Sequence, residues 1–338
     1  MTGRSARELV VAVHIDGIAI SAALVDHDGN LVPGDGGGLV HQTATATRRG
    51  GDAVITQILR LVEQTRSTAP REHRALAVGI GSEGVIDRSG RVVSAPTHFT
   101  GYAGTELAVK ISAEAHLPVR AAADVHTYAL GEAWQGAAAG ADTAVFIGVG
   151  SGVHGSLLIH GRPWQGARCV AGQIGHTISP QALGLTCTCG KESHVEAVAS
   201  GPAIRAEYER RGGGHLPTGQ GVIFAAERGE PVAVETVDFC ASALGTTVGA
   251  LANVVDCEIA VIGGPVPEAG QSWWSPMEAA LRATLVEELT GLPVRRAELG
   301  HRAALIGAAR LAWDLAEQTA RQATYSGGAP TPRPREWL

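Results

Sequence analysis

The stretch from Ala171 to Glu196 constrains this chain more than any other. It opens AGQIGH, continues to CTCGKESHVE, and so places His176, Cys187, Cys189 and His194 in one short, Gly-bearing segment. Two thiolates one residue apart, flanked by two imidazoles, are a closed tetrahedral ligand set for Zn²⁺. A structural site needs four ligands and no open position, and the segment supplies four. Glu196 stands two residues past the last of them, so an ion here also fixes where that carboxylate points. The competing reading is a polar loop in which Cys and His are incidental.

The same residues resemble the zinc-binding signature of the ROK family (repressors, open reading frames and sugar kinases), A-G-E-x-G-H followed by C-x-C-G-x-x-G-C-x-E. Gln173 stands where the family has Glu, Ser193 where it has Gly, and His194 where it has a third Cys. Histidine is a competent zinc ligand, so the metal survives that exchange. The resemblance runs from about Val10 to Trp313, with its motifs in the family's order. It implies an α/β protein with the two-lobed actin-like ATPase (ribonuclease H-like) fold and a zinc-binding loop. Its rival is a generic α/β protein of another topology.

A length of 338 residues suits two domains of ordinary size. Residues 1–124 are expected to form an N-terminal α/β lobe and 125–312 a C-terminal lobe holding the zinc loop at 165–198. Residues 313–338 then supply the end of the last helix and a disordered, Pro- and Gly-rich tail. The apolar run ELVVAVHIDGIAISAALV is broken by His14 and Asp16 and lacks a small-residue cleavage pattern. It therefore reads as strands, not as a signal peptide or membrane helix. Five cysteines, two of them in the metal loop, argue for reduced thiols and a cytoplasmic protein. Cys240 and Cys257 read as core residues, and Cys169 has no evident partner.

The net charge is −6, and no stripe of Lys and Arg offers itself to a phosphate backbone. Family repressors carry an N-terminal winged helix-turn-helix. Here the first strand begins within about ten residues of Met1, which leaves no room for one. The expected partners are a small sugar or cyclitol, with no nucleic acid and no membrane. A homodimer is expected as well, from the Ala- and Gly-rich helices at about 233–254 and 302–320.

Along the chain, Asp16-Gly17 between apolar runs predicts a hairpin joining strands at 9–15 and 18–25, and a third strand is expected near 38–44. Apolar spacing predicts a helix over 52–66. Short strands follow at 75–81 and 117–124, then a helix over 125–135 and paired strands around Gly150–Gly155. Helices are expected at 201–211, 218–228, 233–254, 271–289 and 302–320, with a buried strand at 258–264.

The resemblance also carries site roles onto particular residues. PVRAAADVHTYALGE is similar to the family's P-V-x-V-E-N-D-A-N-A-A-A-L-G-E, and the catalytic base falls on Asp124. The competing reading makes Asp124 simply a helix N-cap, a role compatible with that of the base. The family's preceding Asn is Ala123 here, which removes a sugar hydrogen bond worth about 1 kcal/mol. His126 also departs from the pattern and reads as a solvated helix residue. Gln173, His176 and Glu196 are the implied sugar clamp. Gly84 belongs to a loop like G-x-x-x-P-G-x-x-D, with Glu83 in place of Pro. Gly150, Ser151, Gly152 and Gly155 match a phosphate loop, and Gly263 and Gly264 an adenosine loop.

The family's first phosphate loop, D-I-G-G-T-K, is His14-Ile15-Asp16-Gly17-Ile18-Ala19 here. A carboxylate at Asp16 repels ATP phosphates unless a metal bridges them, and a plain Asp-Gly turn competes with that metal role. Two functions follow. One is a kinase using ATP and Mg²⁺ to phosphorylate a hexose, amino sugar or cyclitol. The other is a sugar-binding pseudokinase that senses or regulates. A DNA-binding repressor is disfavoured.

Overall fold

The computed structural model describes residues 8–325 apart from 36 and 71, so the tail beyond residue 325 lies outside the described residues. The chain divides into two compact units. The first holds the chain up to Ala139, Trp164–Val170 and the segment from His301; the second holds Gly140–Pro163 and Ala171–Gly300.

The first unit opens with β1 (Glu8–Ile15) and β2 (Ala19–Val25), an antiparallel hairpin that sets Ile15 opposite Ile20. β3 (Leu31–Val32) and β4 (His41–Ala44) both pair with β2. After α1 (Gly51–Ser67), β5 (Arg74–Ser82) returns parallel to β1. A small hairpin of β6 (Val85–Ile86) and β7 (Val92–Ser94) precedes α2 (Leu107–Ala115). β8 (Val119–Ala123) then joins β5 in parallel and leads directly into α3 (Asp124–Gln135).

The second unit repeats the opening device. β9 (Ala144–Val149) and β10 (Val153–Ile159) form an antiparallel hairpin, with β11 (Arg162–Pro163) at its edge. The Cys/His loop follows, then α4 (Glu196–Ala199), α5 (Gly201–Arg210), α6 (Gly219–Glu227) and α7 (Pro231–Val255). β12 (Ile259–Gly263), α8 (Gln271–Thr284) and β13 (Val294–Arg296) complete it, both strands running parallel to β9. The strand order β3-β2-β1-β5-β8 in the first unit thus has its counterpart in β11-β10-β9-β12-β13. α9 (Ala303–Tyr325) rejoins the first unit.

The division expected at Asp124 falls instead at Ala139, and the last helix returns to the first unit. The cause is burial on both faces of the first sheet. Alternate residues of β1 point opposite ways. Val11, Val13 and Ile15 pack with α1 and α2, whereas Val10 and Ala12 pack with Leu305, Ala308, Ala309, Ala312 and Trp313 of α9. The helix lies so close that a Cβ at Gly79 in β5 would stand 1.7 Å from the Ala308 carbonyl oxygen.

In the second unit α7 is the central helix. It is long and apolar enough to cross a membrane by length and composition. Val237, Leu244 and Val248 bury that apolar surface against Trp273, Met277 and Leu281 of α8. A Cβ at Gly245 would lie 2.0 Å from the Met277 carbonyl oxygen, and one at Gly307 of α9 would lie 1.8 Å from that of Thr127 in α3. Gly245 and Gly307 are thus taken up by helix packing inside each unit.

Candidate functional site

In the first unit the chain reverses at Asp16-Gly17, as the sequence predicts. The Asp16 carboxylate builds the turn: Oδ1 accepts the amides of Ile18 at 2.7 Å and Ala19 at 2.8 Å. The Asp16 amide donates to the Ala19 carbonyl at 3.1 Å, and the Gly17 amide donates to Glu83 Oε1 at 3.2 Å. Every amide from Asp16 to Ala19 is thus bonded within the unit. His98 Nε2 donates to Glu83 Oε2 at 2.9 Å, and its ring covers Gly17 so closely that a Cβ there would lie 2.6 Å from Nε2. In the sequence Glu83 stands only as a replacement for the family's Pro, and His98, 15 residues on, carries no local signal of this contact.

Gly84 follows Glu83 with φ +105°, and a Cβ on it would lie 2.4 Å from the Ser94 carbonyl oxygen. Only glycine lets β6 and β7 close beside the carboxylate.

Asp124 sits where β8 runs into α3. Ala123 occupies the N-cap position, so Asp124 is the first helical residue, and its Oδ1 accepts the Val125 amide at 2.7 Å. Burial, followed by the Glu83 charge, pushes its carboxyl up to about 7; Asp16 acts in the same direction and the Val125 amide against it. Tyr128, one turn along α3, is pushed up to about 12 by burial and by the three carboxylates. Its ring meets His14 edge-on at 5.6 Å between centroids. His14 is buried, its Nε2 has no hydrogen-bond partner among the described residues, and burial holds its pKa down against the pull of Asp16. His126 corrects the expectation of a solvated residue. It is 3% exposed, and burial drives its pKa down to about 4.

In the second unit the four metal-ligand candidates converge. One donor atom from each of His176, Cys187, Cys189 and His194 lies within 4.8 Å of all the others. Cys187 Sγ is 3.6 Å from His176 Nδ1, and Cys189 Sγ is 3.3 Å from His194 Nδ1. Tetrahedral zinc with ordinary bond lengths sets such sulfur–nitrogen edges at about 3.6 Å, so the donor set fits the ion. Isolated bridges Thr186↔Glu192 and Ile178↔His194 fold the loop back on itself and supply that convergence.

Glu196 opens α4 beside these ligands and is buried. Its Oε1 accepts the Thr188 hydroxyl at 2.5 Å, and its Oε2 accepts the Val153 amide at 3.0 Å. Burial opposes the charge, but these two donors together with the His154 and His176 imidazoles hold the carboxyl below the usual range. A Cβ at Gly152 would lie 2.7 Å from Glu196 Oε2 and 2.8 Å from His154 Nε2, and one at Gly155 would lie 2.1 Å from Ile174 Cδ1. Gly150 donates its amide to the Gly152 carbonyl and accepts at its own carbonyl from Gly201, the first residue of α5. Gly264, at φ +102°, lies against the end of β9, where a Cβ would meet the Val149 carbonyl oxygen at 2.5 Å, and one at Gly263 would meet Ala297 Cβ at 2.7 Å. The structure therefore brings Gly150, Gly152, Gly264 and the start of α5 together as close-packed backbone. Ser151 and the Gln173 side chain stand exposed.

Comparison with known proteins agrees with this architecture. The family model of the ROK family matches residues 10–314. A glucokinase of Halalkalibacterium halodurans is 29% identical over 316 residues, which is 88% of this chain and 92% of that one. The crystal structure of the ROK hexokinase from Thermus thermophilus matches with a TM-score of 0.79 at 26% identity, over 92% of this chain and 99% of that one. A ROK family glucokinase from Streptomyces griseus, solved in complex with glucose and AMPPNP, matches with a TM-score of 0.72 at 28% identity, over 90% and 99% of the two chains. The α/β fold is that of the ROK sugar kinases, an actin-like ATPase fold. With the family match spanning both units, the chain belongs to the ROK family.

Proposed function

We propose that this protein is a cytoplasmic ATP-dependent kinase for a hexose, amino sugar or cyclitol, with Asp124 as the base. The observation that carries this reading is the Asp124 carboxyl itself, pushed up to about 7 at the mouth of α3. A general base works best with a pKa near the operating pH, and such groups contribute about 10²–10⁴-fold. Asp124 takes the proton of the attacking hydroxyl. In the second unit Gln173, His176 and Glu196 offer polar groups to the sugar, and His176, Cys187, Cys189 and His194 hold a structural zinc. Gly150, Ser151, Gly152 and Gly155 face the phosphates, and Gly263 and Gly264 the adenosine. ATP with Mg²⁺ supplies the phosphoryl group and its charge neutralisation when bound. A homodimer belongs to the reading.

The occupied first turn favours a second reading, a sugar-binding protein without phosphoryl transfer. Backbone amides that cradle phosphate in such a turn are here taken by Asp16 and Glu83. A coupled ADP-release assay over a sugar and cyclitol panel separates the two. Under the kinase reading one substrate turns over, and Asp124→Asn lowers its turnover by about 10²-fold or more with little change in sugar affinity. Calorimetric sugar binding with no turnover on any substrate overturns it in favour of the second.

A further inference from the structure

The Thr188 side chain lies between two of the four metal-ligand candidates, with its hydroxyl 3.9 Å from Cys187 Sγ. Its hydroxyl reaches Glu196 Oε1 at 2.5 Å, and Cys187 Sγ approaches the same oxygen at 3.5 Å. The other oxygen of that carboxylate holds the Val153 amide at 3.0 Å, 43 residues away in sequence. Val153 follows Gly152 and begins β10, so the bond ends in the glycine turn. Both bonds go to one carboxylate, which cannot shift toward one partner without loosening the other. Gly152 leaves the necessary space, since any Cβ there would collide with Oε2.

We infer that Thr188 is a positioning residue, and that the Thr188–Glu196–Val153 chain transmits the metal state of the loop to the glycine turn. The inference rests on the reading of the loop as a metal centre. Ions bound by Cys187 and Cys189 fix the backbone on either side of Thr188, and so fix where its hydroxyl points. Hydrogen bonds to a charged carboxylate are among the stronger ones, so the tie is stiff enough to hold a turn. Loss of the metal frees Thr188, then Glu196, and then the Val153 amide.

Amide hydrogen exchange in the full chain, with zinc counted per chain by elemental analysis, tests this. In Thr188→Val the zinc content should stay at the wild-type level while the Val153 amide exchanges about tenfold faster or more. The amide of Val261 in β12 should not change, and Thr188→Ser should restore Val153. Chelation of the wild-type protein should speed Val153 by a similar factor and add little in Thr188→Val. Wild-type exchange at Val153 in zinc-loaded Thr188→Val, or no effect of chelation there, overturns the inference. Wild-type protein purified without chelator and free of zinc overturns the metal reading on which it rests. A Val153 that quickens in Thr188→Val would then uphold the tie alone.

Discussion

The raised carboxyl of Asp124 has a cost in stability that can be measured without knowing the substrate. Its value of about 7 in the fold compares with an ordinary value of 3.8. Between those values the folded chain holds a proton that the unfolded chain has released. Stability therefore falls as pH rises through the window, and the loss is complete above about pH 7. Integrated from pH 5 to pH 8, the shift weakens the fold by about 2.5 kcal/mol, and partial exposure of the side chain reduces the expectation to about 2 kcal/mol. Asp124→Asn has no proton to lose there. Urea unfolding of both proteins at pH 5 and pH 8 should show the variant gaining that amount on the wild type between the two conditions. Contributions common to both proteins cancel in the comparison. Because burial is the first cause and the Glu83 charge the second, Glu83→Gln should shrink the pH dependence without removing it. A stability difference between Asp124→Asn and wild type that is the same at both pH values would refute the argument.

One zinc per chain should be found by elemental analysis of protein purified without chelator, and Cys187→Ser should lower both zinc content and thermal stability, since losing one ligand opens the site. Asp16→Gly should strengthen ATP·Mg binding in calorimetry if the carboxylate only repels phosphate, and weaken it if Asp16 has taken a metal role; affinity unchanged even when Glu83 is replaced as well shows that the turn takes no part. Gly307→Ala should cost about 1–3 kcal/mol in thermal or urea unfolding, because its new methyl group would press on the Thr127 carbonyl; a neutral result contradicts the close α3–α9 contact.

What was legible in the sequence is what local chemistry decides. Asp16-Gly17 between apolar runs was a hairpin because Asp can bond the amides just ahead of it, and it does. The four ligand candidates stood within one segment, and a loop closed by its own bridges brings them together. Elements with weak local signals were missed. α2 is nine residues long with no side-chain cap, and β13 is three residues with two exposed arginines. His126 was misread because the helix period says which residues share a face, not whether that face is covered. The lobe division was misplaced for a like reason: the apolar face of α9 does not say what covers it, and only its packing on α3 and on β1, β2 and β5 shows where it is buried.

The first turn marks the limit of that legibility. Position by position, Asp16 and Glu83 look like two separate losses from a phosphate loop. In the fold they are one arrangement. Asp16 takes the amides of Ile18 and Ala19, Glu83 takes the amide of Gly17 from 66 residues away, and His98 holds Glu83 in place over the glycine. Both carboxylates also raise Asp124. Replacing one leaves the other still bonded to the turn and still acting on the base, so single reversals should recover less than half of what the pair recovers. A double-mutant cycle of Asp16→Gly and Glu83→Pro, read as ATP·Mg affinity, should be strongly non-additive in the favourable direction. Additive effects would mean that the two carboxylates act on the turn independently and that their shared hold on its amides has no consequence for phosphate.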